Sequence, residues 1–79
     1  MEIENIIQTL TPAIASRMLT TEQHEAFEQG LTALEQTPSA VSFVRESRRF
    51  RDYHRRVRQL ITYLQTLRIT VATPAKRHV

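Results

Sequence analysis

The sequence predicts an all-α fold, a small helical bundle built on an antiparallel helical hairpin with a long amphipathic C-terminal helix. Three observations carry that expectation. Glycine occurs once and proline three times in 79 residues, too few for the turns of a sandwich or barrel. Apolar residues recur at helical spacing in every segment up to about residue 69. From Phe43 to Leu67 they also recur in sevens, as in a coiled-coil seam.

The chain is long enough for one small domain, expected over residues 1–69, with a flexible basic tail over 70–79. A chain of this size buries roughly 60–65% of its unfolded surface, so it depends on regular helix packing or on oligomerisation. There is no cysteine, hence no disulfide and no thiolate metal site.

The first element is a helix at about 2–10, carried by Ile3, Ile6, Ile7 and Leu10. Thr11-Pro12 reads as a cap followed by proline at the first helical position, which predicts a second short helix at about 12–19. Thr20 and Gln23 fit a capping box opening a third helix at about 21–36. There Phe27, Leu31 and Leu34 form an apolar stripe beside the small residues Ala26, Gly30 and Ala33. A glycine inside a helix costs about 1 kcal/mol relative to alanine, and close approach by large side chains of another helix would offset that cost. Thr37-Pro38 repeats the cap-and-proline device and predicts a fourth helix at about 38–68, joined to the third by a tight hairpin turn.

Residues 45–60, RESRRFRDYHRRVRQL, hold seven arginines and no lysine. Phe43, Phe50, Val57 and Leu64 share one heptad position, and Glu46, Tyr53, Leu60 and Leu67 share the position three further on, with Ile61 widening the stripe. No arginine lies in this seam. Arg48, Arg51, Arg55 and Arg58 fall opposite it, while Arg45, Arg49 and Arg56 fall on one flank, where Glu25, Glu28 and Glu35 of the preceding helix are the expected partners. The outward four lack an internal partner in this reading and are the candidate binding residues. The hairpin partner spans only about 22 Å against about 46 Å for the long helix. Val57, Leu60, Ile61, Leu64 and Leu67 therefore need another cover. A second chain would supply it in a homodimer, and residues 3–19 would supply it within one chain. The homodimer is the expectation.

Residues 1–40 carry six acids and one base, and residues 41–79 carry two acids and ten bases. An acidic partner is expected for the basic half, and the protein's own acidic first half is one candidate for it. Chemistry for an enzyme is lacking. The serines follow no nucleophile-elbow pattern, there is no glycine-rich phosphate loop, and His24, His54 and His78 have no paired-ligand spacing. Neither a catalytic residue nor a metal or other cofactor is expected. No apolar run approaches the ~20 residues of a membrane span, and the acidic start lacks the form of a signal peptide, so a cytoplasmic protein is the expectation. The function expected is that of a small non-enzymatic interaction protein (an adaptor, regulator, chaperone or assembly subunit) using the seam and the arginine face on an acidic protein surface. The alternative is a nucleic-acid binder using the helix at 45–58, since arginine pairs with carboxylate and phosphate alike.

Overall fold

The structure, a computed structural model, describes residues 2–72, with side chains as far as residue 69. It is a small all-α bundle of four helices, α1 (Ile3–Leu10), α2 (Thr21–Leu34), α3 (Val41–Phe50) and α4 (Tyr53–Ala72), with 3-10 turns at Thr11–Ala15 and Pro38–Ala40. The region 73–79 of the expected tail lies outside the described residues, and 70–72 belong to α4 rather than to a tail.

Both ends of α2 follow from local chemistry. The Thr20 hydroxyl accepts the Gln23 N–H at 3.1 Å, and the Gln23 side chain accepts the Thr20 N–H at 3.0 Å. This reciprocal pair satisfies two donors that a helix start leaves open. Thr37-Pro38 sets the turn after α2, as expected, but as a 3-10 turn. Thr11-Pro12 behaves differently from expectation. The Thr11 hydroxyl donates back to the Ile7 carbonyl at 2.7 Å instead of capping forward, and only a 3-10 turn follows. The expected helix at 12–19 stops at Ala15 because Ser16 is extended and its hydroxyl binds both the N–H and the carbonyl of Met18. A serine that bonds its own backbone neighbours competes with the helix ladder.

The larger correction concerns the helix expected over 38–68. It is broken at Arg51, whose φ of 57° and ψ of 28° lie in the left-handed region. The Arg51 N–H closes the last turn of α3 on the Ser47 carbonyl, and the Asp52 carbonyl takes the Arg55 N–H to begin α4. Burial explains the break. A straight helix would outrun the 14-residue α2 and leave half of its seam wet. Folding back lets α4 run along both α1 and α2, and burying each large aliphatic side chain gives about 1.5–3 kcal/mol. One left-handed residue costs roughly 1–2 kcal/mol.

Pairings between helices fix the directions. Phe43 meets Tyr63 with ring centroids 4.9 Å apart and Glu46 meets Arg56, so α3 and α4 are antiparallel. Arg48, late in α3, reaches Glu35 at the end of α2, and Tyr53 just beyond α3 reaches Glu28 farther back along α2, so α3 is antiparallel to α2 as well. Phe27, midway along α2, stacks on Tyr53 at the start of α4, and Gly30 meets Leu60 and Leu64 farther on, so α2 and α4 are parallel. Glu4 pairs with Arg68, which sets α1 antiparallel to α4. Successive helices therefore alternate in direction.

Gly30 lets the two parallel helices touch. A Cβ built there would lie 2.9 Å from a Leu60 methyl and 3.3 Å from a Leu64 methyl. The close approach expected of this glycine is present, and Ala26 beside it is fully buried.

The core joins Ile6, Ile7, Leu10 and Ala13 of the N-terminal segment to Phe27, Leu31 and Leu34 of α2 and to Tyr53, Val57, Leu60, Ile61 and Leu64 of α4. Phe43 and Val44 of α3 belong to the same cluster, and Leu67 packs against it half-buried. The seam is thus covered within one chain by α1 and the turn after it, and the bare seam that motivated a homodimer does not exist in the folded chain. Two seam positions depart: Glu46, the polar one, is exposed, and Phe50, at the end of α3, is 58% exposed. Among the described residues no helix is long and apolar enough to cross a membrane.

Candidate functional site

The four outward arginines do not form one face, because the corner at Arg51–Asp52 divides them between two antiparallel helices. Arg48 turns toward α2, where it pairs with Glu35 at 3.0 Å and donates to the Thr32 hydroxyl at 3.3 Å. It therefore has the internal partner that sequence spacing denied it. Arg51 lies at the corner, beside His24, Glu25, Glu28 and Tyr53. Arg55 lies on the opposite flank with Glu46, Asp52, Arg56 and Gln59. Arg58 is exposed one turn along α4.

The flanking arginines also depart from expectation. Of Arg45, Arg49 and Arg56, none meets Glu25, Glu28 or Glu35 in an ion pair among the described residues. Arg56 is held instead by Asp52, the residue just before α4, at 2.7 Å and by Glu46 of α3 at 3.9 Å. This pairing clamps the α3–α4 corner. The Arg56 hydrogen bond holds the Asp52 carboxyl below its ordinary value, against the opposing effect of burial. Glu28 takes the Tyr53 hydroxyl as its donor. Burial, followed by this carboxylate, pushes the Tyr53 phenol above its ordinary value.

Arg45, Arg49, Arg51, Arg55 and Arg58 remain. All five are exposed, and none has an ion pair among the described residues. The Arg49 guanidinium stands 5.3 Å from the centroid of the exposed Phe50 ring, within cation–π range. The next residue, Arg51, borders a concavity with Arg17, Met18, His24 and His54, and Met18 is 77% exposed. One end of the bundle therefore combines unpaired guanidinium groups, two imidazoles and two exposed apolar side chains. Sequence reasoning missed Phe50 and Met18 as surface residues. The heptad assigned Phe50 to the core, and the helix expected at 12–19 hid the loop that presents Met18.

A second concavity lies at the opposite end, where Thr37, Pro38, Tyr63 and Leu67 line a mainly apolar groove between the α2–α3 turn and α4. No set of three or more acidic or histidine side chains is placed to hold a metal ion among the described residues. No protein-family model matches the chain, and neither a curated protein nor a solved structure shows detectable similarity to it.

Proposed function

We propose that the protein is a small non-enzymatic interaction protein, of the adaptor, regulator, chaperone or assembly-subunit kind, that binds an acidic protein surface. The binding residues are Arg45, Arg49, Arg51, Arg55 and Arg58 together with Phe50. The observation that supports this reading is the division of the arginine run. Arg48 and Arg56 are engaged within the fold, whereas the other five are exposed without an ion pair among the described residues, and Arg49 stands over the exposed Phe50 ring. Arginine forks bind carboxylates bidentately, and an exposed aromatic beside arginine has the composition of a binding hot spot.

A second reading, single-stranded nucleic acid, is favoured by one specific observation. Phe50 is exposed rather than engaged in the seam, so its ring is free to stack on a base.

Capture from lysate with and without nuclease separates the two. Wild-type protein is expected to retain a protein partner after nuclease treatment, and a variant with Arg45, Arg49, Arg51, Arg55 and Arg58 changed to glutamine is expected to lose it. Retention abolished by nuclease favours the second reading instead. Binding to single strands would then fall with log salt at a slope of about −3.5 for five phosphate contacts. Equal capture by both proteins would refute both readings.

A further inference from the structure

Phe43, Phe50, Val57 and Leu64 keep a seven-residue period straight through the corner between α3 and α4. A chain that reverses direction has no use for register across the reversal. Phe43, Val57 and Leu64 are buried, yet Phe50 is 58% exposed. The corner itself is only Arg51 and Asp52, with no glycine or proline. Arg51 is the sole positive-φ residue among the described ones, a conformation natural to glycine and unfavourable for an L side chain. As one helix, residues 41–72 would extend about 48 Å. Asp52 would then stand four residues from both Arg48 and Arg56, a favourable ionic spacing.

We propose that α3 and α4 straighten through Arg51 into a continuous helix, and that two copies of the chain then exchange α4 in a domain-swapped homodimer. Each α4 packs on α1 and α2 of the other copy. Leu60 and Leu64 still meet Gly30, and Arg68 still meets Glu4, now between chains. The α3 helix stays on its own α2 through Arg48 and Glu35. Nothing in the core is lost, the left-handed residue becomes helical, and Phe50 moves next to the two-fold axis, where its counterpart covers it. Short, strained hinges are where such exchange occurs. Arginines of both copies converge at the crossover, so the exchange is opposed at low salt and favoured when salt screens them. The exchange covers Phe50, so in the dimer the acidic-partner surface keeps its arginines but not that ring; the hinge geometry, not that partner, carries the proposal.

Two hinge variants test it. Arg51→Gly and Arg51→Ala remove the same charge but bias the hinge oppositely, glycine toward the left-handed corner and alanine toward the helix. Each protein is refolded from denaturant at high concentration in about 0.5 M salt, where charge screening is short-ranged, and sedimented. The expected result is a dimer in the wild type, tightened by Arg51→Ala and weakened by Arg51→Gly, with association constants at least about tenfold apart. Chains carrying Glu4→Cys are also mixed with chains carrying Arg68→Cys before refolding and treated with a short bismaleimide. Cross-linked pairs of chains are expected in the dimer fraction. A wild type that stays monomeric, hinge variants that shift together, or a dimer without the 4–68 cross-link would each overturn the proposal.

Discussion

Ser47 is fully buried on α3, and its hydroxyl has no hydrogen-bond partner. An unpaired buried hydroxyl carries a desolvation penalty of about 1–3 kcal/mol, and alanine is the better helix former. Ser47→Ala is therefore expected to raise stability by about 0.5–1.5 kcal/mol in urea unfolding. Tyr53 has the opposite character, since its hydroxyl is paired with Glu28 and its ring stacks on Phe27 at 4.4 Å. Its phenol is pushed above the ordinary value of 10.0, so the fold favours the neutral form. That contribution is complete below pH 10 and is lost as pH rises through the raised value. Wild-type stability should fall in that alkaline range, and Tyr53→Phe should flatten this part of the pH profile. An unchanged profile in Tyr53→Phe would show that another group governs it.

Gly30 decides how α2 and α4 meet. Valine at Gly30 would force its branches into Leu60, and overpacking of this kind costs about 1–3 kcal/mol. Leu60→Ala alone should cost about 2–5 kcal/mol through the cavity it leaves. Because the two changes relieve each other, the double variant should fall short of the sum by at least about 1 kcal/mol. Additive losses in urea unfolding would place the two side chains out of contact.

The same helices show what the sequence carries. The capping box at Thr20 and Gln23, the proline turn at Thr37-Pro38 and the packing role of Gly30 were legible because each rests on residues within one or two turns. The break at Arg51 was not. Neither Arg51 nor Asp52 is a glycine or proline, and the heptad runs through them in phase. The break follows from burying Val57, Leu60 and Leu64 against Ile6, Ile7 and Leu10, some fifty residues away in the chain, a contact that periodicity cannot express. Phe50 was misplaced for the same reason.

Across the whole molecule, charge is allocated rather than scattered. Glu4, Glu35, Glu46 and Asp52 are paired with Arg68, Arg48 and Arg56, while five arginines of the run face outward unpaired. Sequence spacing found the outward Arg51, Arg55 and Arg58: Arg55 and Arg58 lie opposite buried apolar positions of α4, and Arg51 is exposed at the corner. It misassigned Arg48, whose partner Glu35 lies on another helix, and Arg45 and Arg49, whose expected carboxylates lie elsewhere. Stability thus rests on the seam, and the proposed recognition rests on the arginines. Urea unfolding of the variant carrying glutamine at positions 45, 49, 51, 55 and 58 tests that division directly. Removing crowded like charges without touching the core should leave stability within about 0.5 kcal/mol of wild type, or raise it. A loss of more than about 2 kcal/mol would place those arginines in the fold's own support and contradict the account.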